Sequence, residues 1–188
     1  MRAILLDADA FRCLHGLRLL DATLRALRPD RATFMTEYIA RHELNLLDAE
    51  VTRLEAVGAV TIVPVMRSSE AGRRYRDLQR RADKREAEAI AWALDEPRAS
   101  RALFVSRDDG ARRLATEERV PNTDVMGLLV EAALTGRLER TTLREALAIW
   151  DDRGQQLCRP ADYEDFDRTF AKREQQRLTW ATSDHNAG

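Results

Sequence analysis

Residues 3–11 read Ala3-Ile4-Leu5-Leu6-Asp7-Ala8-Asp9-Ala10-Phe11. An apolar run that ends abruptly in acids reads as a short buried strand, here Arg2–Leu6. Phe11, Leu14, Leu17 and Leu20 then recur at helical spacing, and the expected helix continues to Leu27. Repeated strand-then-helix units stack their strands in parallel, with the C-terminal strand ends along one edge where side chains from distant segments converge. The alternation persists. Ala32–Met35 reads as a second strand, followed by Thr36 as an N-cap and an amphipathic helix through Glu43, Leu44 and Leu47 to Leu54. Val60–Val65 is β-branched with Pro64 near its end, as an edge or second-layer strand would be. A basic helix is expected over Glu70–Arg81, and Asp83 with Glu86 opens another whose apolar stripe is Ala87, Ile90, Ala91 and Leu94. Ala102–Val105 is the next strand, Asp109-Gly110 breaks it, and Ala111–Glu118 is a helix. Val120-Pro121 is too short to classify. Asp124 begins a helix that Gly136 ends, and Thr142 with Glu145 caps one running to about Trp150. The expected class is α/β, three layers of α/β/α around a mostly parallel sheet.

Four carboxylates each lie beside an apolar run in this pattern: Asp7, Glu43, Glu86 and Asp108. Unpaired carboxylates sharing a cleft raise each other's pKa, a cost that a cation relieves. A hard-metal site is the working expectation, because Mg²⁺ and Mn²⁺ favour oxygen ligands over imidazole and thiolate.

Bulk properties fit one globular unit. The chain has 188 residues, 44% hydrophobic and 34% charged, enough for one substantial core with an appendage and too few for two full domains. Its 31 basic and 32 acidic residues leave a net charge of −1, so affinity for nucleic acid requires a local patch. Cys13 and Cys158 show no CxxC spacing, which argues against a disulfide framework or thiolate zinc site and fits a reducing cytoplasm. No apolar stretch approaches the ~20 residues that span a bilayer, and no signal-peptide pattern opens the chain, so a soluble, cytoplasmic protein without membrane partners is expected.

The order and context of the acids carry a resemblance. Ile4-Leu5-Leu6-Asp7-Ala8-Asp9 is similar to the opening strand and first metal aspartate of PIN-domain nucleases, the fold of many VapC-like toxin ribonucleases. Met35-Thr36-Glu37-Tyr38-Ile39-Ala40-Arg41-His42-Glu43-Leu44 looks like the segment carrying that family's second acid. Lys84-Arg85-Glu86-Ala87-Glu88-Ala89-Ile90-Ala91 resembles the branch in which this helix begins Gly-Glu-Ala-Glu-Ala-Ile-Ala, with Arg85 in place of the glycine. Val105-Ser106-Arg107-Asp108-Asp109 is similar to the strand end bearing the fourth acid, and Asn122 through Gly136 resembles the closing helix. The likeness covers roughly residues 2–138, leaving 139–182 as a helical C-terminal extension and 183–188 as a tail expected to be disordered.

The resemblance implies a PIN-like fold and a metal-dependent endoribonuclease, plausibly the toxin of a toxin-antitoxin pair. Asp7 and Asp108 would hold Mg²⁺ or Mn²⁺ directly, Glu43 and Glu86 would complete the shell, and Asp109 is either an outer ligand or a turn residue. Arg81, Lys84 and Arg85, with Ser106 and Arg107, are the expected substrate contacts. They belong to or follow the dense basic run Arg73, Arg74, Arg76, Arg80, Arg81, Lys84 and Arg85, which could equally be a solvated helix face. RNA is the expected substrate, an antitoxin-like inhibitor and a homodimer the expected partners.

Other readings compete. Asp7 and Asp108 can be turn aspartates, Glu43 an exposed helix acid, and Glu86 a capping residue with Glu88 the inward acid. Asp7-Ala8-Asp9 also matches the Asp-x-Asp motif of haloacid-dehalogenase-like phosphatases, with Thr36, Lys84 and Asp108-Asp109 in workable order. That reading leaves Glu43 and Glu86 without roles. A non-catalytic PIN-like binding module is a third. His15, His42 and His185 lack ligand spacing, and Trp150, Phe166, Phe170 and Trp180 read as packing for the extension.

Overall fold

Five short strands, all parallel, form one sheet in the order β3-β2-β1-β4-β5, flanked by helices. This architecture is described by a computed structural model covering residues 3–95, 102–152 and 158–183. The strands are β1 (Ile4–Leu6), β2 (Thr33–Thr36), β3 (Thr61–Val63), β4 (Leu103–Val105) and β5 (Asn122–Thr123). The arrangement fits three α/β/α layers. Arg2 lies outside the described residues, as do 184–188 of the expected tail.

The central strands are apolar on both faces. Ile4, Leu5, Leu6, Phe104 and Val105 are fully buried, which is why the two runs lack the alternation of a half-exposed strand. Their register sets Ile4 beside Leu103, Leu5 beside Phe104 and Leu6 beside Val105. Asp7 and Ser106 therefore leave the sheet side by side, and the Asp7 amide still donates to Val105 O at 3.0 Å. At one edge stands β3, the strand containing the residues before Pro64. The other edge is β5, which forms just after Pro121.

Two helices depart from expectation. The first amphipathic run divides into α1 (Ala8–Gly16) and α2 (Leu20–Leu27), with Arg18 at φ 58° between them. A continuous helix would point Leu17 and Leu19 about 200° apart. The break lets Leu17, Leu19 and Leu20 all enter the core. The Thr36–Leu54 helix is likewise replaced. Thr36 is the last residue of β2, paired with Val63, so it is a strand end and not an N-cap. A π-helical turn (Ile39–Glu43) and a 3₁₀ turn (Asn45–Leu47) follow, before α3 (Asp48–Ala56).

The remaining helices lie near their expected positions: α4 (Glu70–Leu78), α5 (Lys84–Asp95), α6 (Asp109–Glu117), α7 (Val125–Ala133), α8 (Arg140–Leu147) and α9 (Phe166–Ser183). Asp108 caps α6 two residues earlier than anticipated, accepting from Ala111 N at 3.0 Å. Asp124 caps α7 through Gly127 N at 2.8 Å. A Cβ at Gly127 would lie 1.9 Å from Thr123 Oγ1, so this tight β5-to-α7 junction requires glycine. Thr142 sits inside α8 and Glu139 takes the cap position, without a side-chain capping bond.

The C-terminal elements pack on the sheet domain. Trp150 is fully buried with its ring edge-on to Tyr163 at 5.3 Å, and Phe166 and Phe170 join the same core. The side chain of Trp180 lies outside the described residues. Arg173 of α9 bonds both Asp124 (2.6 Å) and Asp162 (2.7 Å), so the charge that caps α7 also anchors α9. Cys13 and Cys158 are free and buried. Among the described residues no helix is long and apolar enough to cross a membrane.

Candidate functional site

Asp7 follows β1 and caps α1. Its Oδ1 accepts from Ala8 N at 2.8 Å, and its Oδ2 accepts from Ser106 Oγ at 2.8 Å. Ser106 follows β4, and its hydroxyl oxygen also accepts from Asp108 N at 3.1 Å. One serine thus connects the acids that end the two central strands. Asp7 is 0% exposed, and burial pushes its carboxyl above the ordinary value despite the hydrogen bonds from Ser106 and Ala8 and the charge of Arg85.

Glu86 enters from the first turn of α5 and is also buried. Burial, reinforced by the charges of Asp108 and Asp7, pushes its carboxyl up to about 6. Those like charges place Glu86 among the strand-end acids. Glu88 faces elsewhere, accepting from Tyr38 N at 3.2 Å, where it steadies the start of the π-helical turn. That turn ends on Glu43. A π-turn shifts the residues that follow it by one position relative to an α-helix, and such turns recur at functional sites.

Arg85 occupies the centre. Its guanidinium lies 3.6 Å from Asp9, 3.7 Å from Glu43 and 4.0 Å from Glu86. Burial disfavours its charge, but the carboxylates of Asp7, Asp9, Glu43 and Glu86 outweigh that effect and hold it above its ordinary value. Arg12 adds a second cation, 2.8 Å from Asp9 and 3.6 Å from Glu43, and it also donates to the Glu43 carbonyl. Four carboxylates, those of Asp7, Asp9, Glu43 and Glu86, therefore share two guanidinium groups, and a fifth, Asp108, adds its charge beside Glu86. The donor set is all oxygen and its charge is incompletely balanced, the chemistry that suits a hard divalent ion. Among the described residues no three such groups close on one point as a ready ligand set, and the Arg85 guanidinium stands between them.

The other expected residues divide. Asp109 is exposed and bonded to Arg112, as a helix-start acid would be. Gly110 keeps space beside Asp108, since a Cβ there would lie 2.9 Å from Asp108 Oδ1. Lys84 is exposed at the start of α5. Arg81 turns away to Glu117 (2.6 Å) and Glu118 (2.5 Å). Arg107 is exposed, with Nη1 3.9 Å from Cys158 Sγ. Much of the basic run is a self-neutralised surface: Arg73 and Arg74 pair with Glu70, and Arg76 donates to Arg67 O. A polar cleft of about 330 Å³, lined by none of the clustered acids, lies between the end of β5 and α9, with the Arg173 ion pairs in its wall.

Sequence reasoning missed Arg12 and the part played by Asp9. The i,i+3 spacing of Asp9 and Arg12 on α1 was the available signal. Comparison with protein-family models and with curated proteins returns no match.

Proposed function

We propose that this chain is a divalent-metal-dependent endoribonuclease of the PIN-domain type, plausibly the toxin of a toxin-antitoxin pair. The observation that carries the reading is that Asp7, Glu43 and Glu86, from three separate segments, share the Arg85 guanidinium at the C-terminal edge of a parallel sheet, with Asp108 coupled to Glu86 beside them. A phosphatase of the haloacid-dehalogenase type leaves Glu43 and Glu86 idle. Here both are drawn into the cluster, which favours the nuclease.

On this reading Asp7 and Asp108 would hold Mg²⁺ or Mn²⁺, and Glu43 and Glu86 would complete its surroundings. The bound ion would supply a more acidic water and charge relief at the attacked phosphate. The protein's own groups prepare that step. Ser106 fixes the Asp7 carboxylate through Oδ2. Arg12 holds Glu43 by both its carboxylate and its carbonyl. Lys84, exposed beside the cluster in sequence, offers a cation to an incoming RNA phosphate. An antitoxin-like inhibitor and homodimerisation remain the partners this reading expects, in a cytoplasmic setting.

The test is incubation of the protein with mixed single-stranded and structured RNA, with Mn²⁺ and with EDTA. Cleavage that needs Mn²⁺ and is lost in EDTA supports the proposal. RNA left intact in Mn²⁺ refutes it.

A further inference from the structure

Arg85 is the least expected feature of the site. A helix-start arginine normally extends into solvent, where its charge costs nothing. This one has only 19% of its side chain exposed, and its Nε is buried with no hydrogen-bond partner. Its Nη1 and Nη2 reach three carboxylates from three elements, at 3.6, 3.7 and 4.0 Å. None of these is the close, two-pronged contact of a committed arginine-carboxylate pair, which brings N and O to about 2.8 Å. The guanidinium balances the group as a whole and is fastened to no member of it.

A cation held this way neutralises the acids but competes with any other cation for them. We propose that Arg85 is the chain's own counter-cation, occupying the acid cluster in the metal-free protein and yielding it when a divalent ion binds. Arg85 then sets the affinity for the ion, because only molecules with the guanidinium moved aside can accept it. The inference rests on the metal-site reading above and adds the residue that regulates it.

The test compares Mn²⁺ binding by calorimetry for the wild type, Arg85→Ala, Arg85→Gln and Arg85→Lys at one pH and ionic strength. The neutral variants are expected to bind Mn²⁺ at least about tenfold more tightly, with the lysine variant between them and the wild type. Equal or weaker binding by the neutral variants overturns the proposal, and so does a lack of Mn²⁺ binding by all four proteins. A second readout needs no variant. The Arg85 Nε–H resonance of the wild type, followed by NMR, should move as Mg²⁺ is added, and a resonance that stays fixed while Mg²⁺ binds is equally contrary. RNA cleavage is scored separately. Tighter Mn²⁺ binding by Arg85→Ala with no cleavage by any form retains this inference and removes the nuclease. Cleavage by the wild type with no gain in Arg85→Ala does the reverse.

Discussion

Ser106 Oγ donates to Asp7 Oδ2 at 2.8 Å, joining the ends of the two central strands through a fully buried hydroxyl. Asp7 is 0% exposed, so bulk solvent cannot replace that donor. Ser106→Ala should cost about 1.5–3 kcal/mol, the worth of a hydrogen bond to a charged group. It should also weaken Mn²⁺ binding by roughly 10–100-fold, as loss of a ligand's supporting bond typically does. Urea denaturation and a Mn²⁺ titration of the same variant check both effects, and a variant with normal stability and Mn²⁺ binding would remove Ser106 from the site.

Glu86 and Glu88 occupy one helix but face different partners, so their variants should behave differently. The Glu86 carboxyl lies at about 6 in the fold against an ordinary 4.5, which means the folded state holds the proton more tightly. Stability should therefore fall as pH rises from 4.5 through 6 and level off above. Glu86→Gln lacks this penalty. It should be more stable than the wild type at neutral pH by up to about 2 kcal/mol, a gain that vanishes below the ordinary carboxyl pKa. Its Mn²⁺ binding should be lost. Glu88→Gln weakens the acceptor for Tyr38 N, and should lower stability by about 1 kcal/mol with Mn²⁺ binding largely kept. Thermal melts across this pH range, with and without Mn²⁺, separate the two acids.

Arg173 joins the extension to the sheet domain through a charge that is 10% exposed, opposite Asp124 at 9%. Removing one partner of a buried pair strands the other. Arg173→Ala should therefore destabilise by about 3–5 kcal/mol, while Arg168→Ala, whose partners Glu164 and Asp165 are exposed, should cost under about 1 kcal/mol. Denaturation curves check the difference, and limited proteolysis of Arg173→Ala should release α9 first.

The parallel sheet was legible because β1 and β4 announce themselves as unbroken apolar runs, Ala3-Ile4-Leu5-Leu6 and Ala102-Leu103-Phe104-Val105. The start of α7 was legible from its capping residue Asp124, whereas the cap that Asp108 gives α6 was hidden behind Asp109-Gly110, which read as a break. The break at Arg18 was not, since a left-handed arginine leaves no compositional mark and the apolar spacing of Leu17 and Leu20 suits a continuous helix. Nor was the π-helical turn before Glu43, which forms because β2 continues through Thr36 and takes the residue that would have capped a helix. The acids Asp7, Glu43, Glu86 and Asp108 could be picked from their places beside apolar runs. The central position of Arg85 could not, because a guanidinium at a helix start has no sequence signature that distinguishes a solvated charge from one turned inward.

The most direct measurement of the central claim is Mn²⁺-dependent RNA cleavage by the wild type, Asp7→Asn, Glu43→Gln and Asp9→Asn. A divalent-cation pocket built from distant acids predicts that Asp7→Asn and Glu43→Gln each lose at least about a hundredfold in rate, while Asp9→Asn loses about tenfold or less. Full activity in Glu43→Gln, or abolition by Asp9→Asn alone, would contradict it.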